Sequence, residues 1–210
     1  MRDMTKVLLI RHGATVLTLE DRFAGSTDVQ LSDDGRSQAQ RLGLRLAATK
    51  IAAVYCSDMH RAMDTAAAVA RPHGLTPIVR AGLREIDHGQ WEGMVHKVVE
   101  QQHAAEYQAW EANPFLVAPP GGETGLTVLA RSLPELRRIV LDHPDQTVAV
   151  VSHKATNRLL LCSIMGIDPQ MYRARISQDT ACLNVFEFCE SMSGRVTLLN
   201  DVSHYSTSEA

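Results

Sequence analysis

The ten residues from Lys6 to Thr15, Lys-Val-Leu-Leu-Ile-Arg-His-Gly-Ala-Thr, constrain this chain more than any other stretch. Val7, Leu8, Leu9 and Ile10 form an unbroken apolar run that meets Gly13 three residues later. A run without alternation suits a strand buried on both faces of a parallel sheet. Open α/β sheets set their ligands just beyond the carboxyl ends of such strands. Arg11 and His12 therefore stand side by side where a ligand is expected. The same pair would also serve an ordinary solvated turn, so the later stretches decide.

Those stretches repeat the pattern. A polar loop from Thr18 to Gln30 leads to Ser32, an N-cap followed by Asp33 and Asp34, which suit the positive end of a helix dipole. Ala39, Leu42, Leu46 and Ala47 then recur on one helical face. Ile51–Cys56 reads as a second buried strand, followed at Ser57-Asp58 by a helix with Arg61 in its first turn. Thr76–Val79 is a short third strand. From about 81 to 125 the rhythm stops, and this section is expected to be an insertion with one or two helices over the carboxyl edge of the sheet. A helix from Thr127 to Leu141 brings the chain back, and Thr147–Ser152 is a strand that stops at His153. Asn157–Met165 is helical with Gly166 as its C′ residue. Ala181–Phe188 and Arg195–Leu199 are strands around a hairpin signal at Ser191–Gly194, and the polar tail from Ser203 is expected to fray.

The 210 residues suit one domain with a full core, residues 1–210, that carries the insertion. A net charge of −3 without any basic run argues against nucleic acid or a membrane surface as a partner. No apolar stretch approaches the roughly 18 residues of a bilayer span. Arg2, Asp3 and Lys6 leave too short an apolar segment for a signal peptide, so a cytoplasmic location is expected. Cys56, Cys162, Cys182 and Cys189 sit in apolar contexts without metal-site spacing and read as buried thiols.

Two strands thus end in a histidine, His12 and His153. Arg61 follows a third strand end, and a carboxylate, Glu85, opens the insertion. If the strands are parallel neighbours, all converge on one rim of the sheet. Two guanidiniums and two imidazoles repel one another unless an anion lies among them. The planar fork of arginine suits a phosphate, to which it donates paired hydrogen bonds. The pocket asks for a phosphoryl group. His60, His73, His88, His96, His103, His143 and His204 read as surface groups or supports behind the pocket, with Asp87 and His88 closest to Glu85 in sequence. The aromatic residues of the insertion read as core. Metal-hydrolase patterns such as H-E-x-x-H or H-x-H are absent.

Arg11-His12-Gly13, Arg61, Glu85 and His153 resemble the signatures of the histidine phosphatase superfamily, the phosphoglycerate mutase-like proteins. Further matches run along nearly the whole chain: Arg22-Phe23-x-Gly25, Leu31-Ser32-x-x-Gly35, Arg61-Ala62-x-x-Thr65-Ala66, Gly89-x-Trp91-Glu92-Gly93 and Gly121-Gly122-Glu123. The resemblance implies a three-layer α/β/α sandwich around a mostly parallel sheet, and a phosphohistidine mechanism with neither metal nor other cofactor. His12 would attack phosphorus, Arg11, Arg61 and His153 would hold the phosphoryl oxygens, and Glu85 would act as acid and then base. By the same resemblance Thr15, Thr18, Ala24 and Gly25 would border phosphate and substrate. The partner is a small-molecule phosphate ester, and a homodimer stays open.

Departures from the family pattern bear on the reaction. Cofactor-dependent mutases carry Glu-Arg-His-Tyr-Gly where this chain has Glu85-Ile86-Asp87-His88-Gly89, and a lysine where His96 stands. The Gln90-Trp91-Glu92-Gly93 form is similar to that of the small phosphatases. Hydrolysis is therefore expected over mutase-type transfer (an isomerase activity) or a weakly catalytic module that binds phospho-ligands. Most relatives have glycine where Lys154 stands, and many have asparagine where Thr18 stands. Lys154, at the start of a helix, is expected to meet a second anionic group of the substrate.

Overall fold

Val7, Leu8, Leu9 and Ile10 are almost wholly buried at the centre of a six-stranded sheet in the computed structural model, which describes residues 4–189 and 194–206. Their strand, β1 (Met4–Arg11), lies between β4 (Thr147–Ser152) and β5 (Leu183–Cys189). With β2 (Ala53–Cys56), β3 (Ile78–Val79) and β6 (Gly194–Asp201) the order is β3-β2-β4-β1-β5-β6. The first four in that order run parallel, while β5 is antiparallel to β1 and β6 to β5.

Side chains of a strand point alternately to opposite faces, and here each face has its own helices. Val7, Leu9, Val148 and Val150 pack with residues of α6 (Gly125–Leu141) and α7 (Lys154–Met165). Leu8, Ile10, Ala149 and Val151 pack with residues of α2 (Asp33–Leu46) and α3 (His60–Ala70). The result is a three-layer α/β/α sandwich.

Ser32 caps α2 as its sequence implies, accepting from Gly35 N at 3.1 Å. Other boundaries differ from expectation. A four-residue helix, α1 (Val16–Leu19), occupies the start of the expected loop because the Thr15 hydroxyl accepts from Thr18 N. Helix α6 begins at Gly125, capped by Thr124, and α7 begins at Lys154, three residues ahead of Asn157. Residues 167–180 contain a short helix, α8 (Tyr172–Arg175), that no sequence pattern announced. Ser203–Ser206 do not fray: the Tyr205 hydroxyl donates to Thr180 O at 2.6 Å and pins them to the body. The hairpin tip at Ser191, Met192 and Ser193, the Cys189 side chain and residues 207–210 lie outside the described residues. Cys56, Cys162 and Cys182 are buried free thiols.

Between β3 and α6 the chain adds α4 (His96–Gln102) and α5 (Ala104–Ala112) and no strand of the sheet. Phe23, Trp91, Val99 and Trp110 form a separate small core there. Among the described residues, no helix is long and apolar enough to cross a membrane.

Candidate active site

Register builds the site. Arg11 pairs with Ser152, so the residues that follow, His12 and His153, leave neighbouring strands side by side. Their ring centroids are 5.1 Å apart. Strand β2 ends level with them, since Cys56 pairs with Val151, and Arg61 then lies in the first turn of α3. A cleft of about 220 Å³ opens at this rim, with Arg11, His12, Arg61 and Glu85 in its wall. His153 lies just behind it, fully buried.

The turn after β1 is fixed backbone to backbone. A Cβ on Gly13 would come within 2.5 Å of Gly35 O, and one on Gly35 within 2.0 Å of Ala14 O. Glycine at both positions lets this turn cross the start of α2 in direct contact. Gly13 N donates to Thr65 Oγ1 at 3.1 Å, and His12 O accepts from the N–H of Ala181, which holds a left-handed φ of 52°.

The His12 Nδ1 lies 2.7 Å from Gly13 O. A carbonyl only accepts, so Nδ1 carries the hydrogen and Nε2 carries the lone pair. Burial, then Arg61 and Arg11, hold His12 well below the ordinary imidazole pKa, keeping it neutral and nucleophilic. Burial and the same arginines, with His12 itself, do likewise for His153, whose two ring nitrogens are buried without a partner. A buried polar atom left unpaired costs about 1–3 kcal/mol, and anionic oxygen would satisfy it.

Arg11 Nη1 donates to Gln178 O at 2.7 Å, while its Nε is buried and unpaired. Arg61 is aimed from behind: Nη1 donates to Thr27 O at 2.8 Å and Nη2 to Gly25 O at 2.7 Å. That loop is held in turn by Glu92, whose carboxylate accepts from the N–H groups of Gly25, Ser26, Thr27 and His88 and from the Thr27 hydroxyl. Burial raises the Glu92 pKa, but these bonds outweigh it and hold the group below the usual carboxylate range.

Glu85 caps α7 from outside the helix, its carboxylate accepting from Ala155 N at 3.1 Å and Thr156 N at 3.2 Å. This tertiary cap is why α7 starts earlier than its own sequence implies. Arg131 of α6 donates to the carbonyls of Gly82, Arg84 and Glu85, and the Ser152 hydroxyl donates to Leu83 O, so the strap bearing Glu85 is pinned along its length.

Thr15, Thr18, Ala24 and Lys154 line the cleft. Gly25 does not, because both its peptide groups are spent on Glu92 and Arg61, and a Cβ there would strike Ile86 O at 1.8 Å. Asp87 is also outside the wall, bonded to Ser26 Oγ and Gly89 N. His88 and His96, expected as surface or supporting groups, line the cleft together with Trp110, Arg158 and Arg173. Arg158 stands four residues after Lys154, a spacing that puts the two on one face of a helix and could have found it. Among the described residues, no three His, Cys, Asp or Glu side chains converge as a metal-ligand set.

The family model for the histidine phosphatase superfamily, branch 1, matches residues 7–202. Phosphoserine phosphatase 1 of Hydrogenobacter thermophilus is 32% identical over 165 residues, covering 79% of this chain and 78% of that protein. Glucosyl-3-phosphoglycerate phosphatase of Mycolicibacterium vanbaalenii is 31% identical over 169 residues, covering 77% of this chain and 75% of its own. Among solved structures, Bacillus stearothermophilus YhfR superposes with a TM-score of 0.90 at 31% identity, over 96% of this chain and 100% of that one.

Proposed function

Because the chain belongs to the histidine phosphatase superfamily, branch 1, we propose that it hydrolyses a small phosphorylated metabolite through a phosphoenzyme carried on His12. Phosphate-ester hydrolysis is the chemistry of the chain, a phosphoric monoester hydrolase; the residue roles are our reading. The observation that carries them is the His12 Nδ1–H bond to Gly13 O, which leaves Nε2 as a nucleophile in one cleft with Arg11, Arg61 and Glu85.

In this reading Nε2 attacks phosphorus in line, and the N–P bond forms as the ester P–O bond breaks. Glu85, protonated, gives its proton to the departing oxygen. Arg11, Arg61 and His153 bind the three equatorial oxygens, where fixed charge supplies most of the rate in a loose transition state. Glu85, now a carboxylate, takes a proton from water as its oxygen attacks phosphorus. The N–P bond breaks, inorganic phosphate leaves, and neutral His12 returns. Thr15, Thr18 and Ala24 border the substrate, and Gly25 acts by holding Arg61.

We read the reaction as metal-independent, since guanidinium and imidazole groups meet the phosphoryl charge. The whole chain acts as one domain whose residues 81–125 supply one wall of the cleft through Ile86, His88, His96 and Trp110. Free thiols at Cys56, Cys162 and Cys182 support a cytoplasmic setting. His12→Ala should lower turnover of p-nitrophenyl phosphate by several orders of magnitude, and EDTA should leave the parent enzyme unaffected. A phosphohistidine adduct should appear by mass spectrometry after alkaline quench, and only in the parent. Full activity of the variant, or strict dependence on an added divalent metal, would overturn the mechanism.

A further inference from the structure

We propose that the outer half of the cleft is a second anion site, built by Lys154 and Arg158, that selects phosphate esters bearing a carboxylate. The proposal rests on the phosphatase reading of the inner half. Six guanidinium or ammonium groups line the cleft against two carboxylates, Asp21 and Glu85. Four of the six are accounted for. Arg11 and Arg61 face the phosphoryl group, Arg22 pairs with Glu20 at 2.6 Å, and Arg173 pairs with Glu111 at 2.9 Å. Arg173 also lies 4.4 Å from the Trp110 ring centroid, which fixes it as part of the wall.

Lys154 and Arg158 remain. Neither makes an ion pair among the described residues, and Arg158 Nε is buried without a partner. Standing four apart on α7, they share one helix face. Like charges brought together and left unpaired repel, and a bound anion removes the repulsion. A carboxylate fits best: the arginine fork binds its two oxygens in parallel and lysine adds a point charge. Phe23, His96 and Trp110 supply an apolar and aromatic wall for the carbons between the two anions, with Phe23 and His96 stacked 3.8 Å apart.

Five charged or titratable groups face Lys154: Arg11 from β1, Arg158 on its own helix, Glu85, Arg173 from α8 and His96 from α4. Desolvation, followed by Arg11 and Arg158, pushes its ammonium down to about 8. It is charged at pH 7 and discharges at higher pH, so the preference for a carboxylate should weaken toward pH 9.

The test uses phosphonates, which bind without turning over. Calorimetric titration should show 3-phosphonopropionate binding about tenfold tighter than propylphosphonate at pH 7, the gain expected of a charge-assisted contact. Combined Lys154→Met and Arg158→Met should bring the two within about twofold. Equal binding in the parent protein would remove the second site and leave the phosphoryl pocket standing. A preference that survives the double variant would remove these two residues from the site. Tighter binding of methylenebisphosphonate than of the carboxylate would reassign the site to a second phosphate. Failure of every phosphonate to bind would instead remove the phosphatase reading of the inner pocket, and this proposal with it.

Discussion

The carboxylate of Glu85 serves two purposes that a single substitution separates. It caps α7 through Ala155 N and Thr156 N, and it is the proposed acid. A glutamine there keeps one oxygen for the cap but has no acidic proton. Glu85→Gln should therefore lose about 10²–10⁴ in kcat on an alkyl phosphate such as glycerol 3-phosphate. The loss should be far smaller on p-nitrophenyl phosphate, whose leaving group needs no proton. Glu85→Ala removes the cap as well and should cost roughly 0.5–2 kcal/mol of stability in urea titration. Equal kinetic losses on both substrates would take Glu85 out of the acid role. Asp87 would not replace it, because its side chain is engaged with Ser26 and Gly89 outside the cleft.

Helices and straps carry the next level of control. Glu92 touches no phosphoryl group in our reading, yet it holds residues 25–27, whose carbonyls aim Arg61. Glu92→Gln replaces one accepting oxygen with a donor facing backbone N–H groups. It should cost about 1–3 kcal/mol in stability. It should also weaken orthovanadate inhibition together with kcat/KM, since the anion clamp loosens. A fall in stability with unchanged vanadate affinity would leave Glu92 a purely structural residue. None of this support was legible in the chain. Strands β1 and β4 were, because unbroken apolar runs have few other uses, and so was the cap at Ser32. The residues that converge at the cleft could be picked out because Arg11, His12 and His153 follow or end strands, Arg61 opens a helix and Glu85 opens the insertion. The start of α7 was not, because its cap comes from a residue 70 positions away. Arg131 and α8 were hidden for a similar reason: the former acts through carbonyls of a distant strap, and the latter is too short for a periodic pattern.

For the molecule as a whole, the buried neutral histidines set its tolerance of acid. His12 and His153 are held well below the value near 6.5 that they regain on unfolding. The unfolded chain therefore binds more protons below pH 6.5, and stability falls as pH drops from there toward the folded values. Each group contributes a slope of up to about 1.4 kcal/mol per pH unit. Urea unfolding at pH 7, 6 and 5 should show this decline, and His153→Asn should flatten it; an unchanged slope in that variant would mean that His153 titrates normally. The strand order has a temporal consequence too. The central strand β1 is made first, but its neighbours β4 and β5 begin only at residues 147 and 183. At roughly 5–20 residues per second, translation leaves an interval on the order of ten to thirty seconds between His12 and the last strand beside it. Until β4 is made, the apolar run Val7–Ile10 of the nascent polypeptide has no partner on either edge, and until β5 follows it still has one open edge. An apolar strand left open in this way is prone to pair with other chains during synthesis.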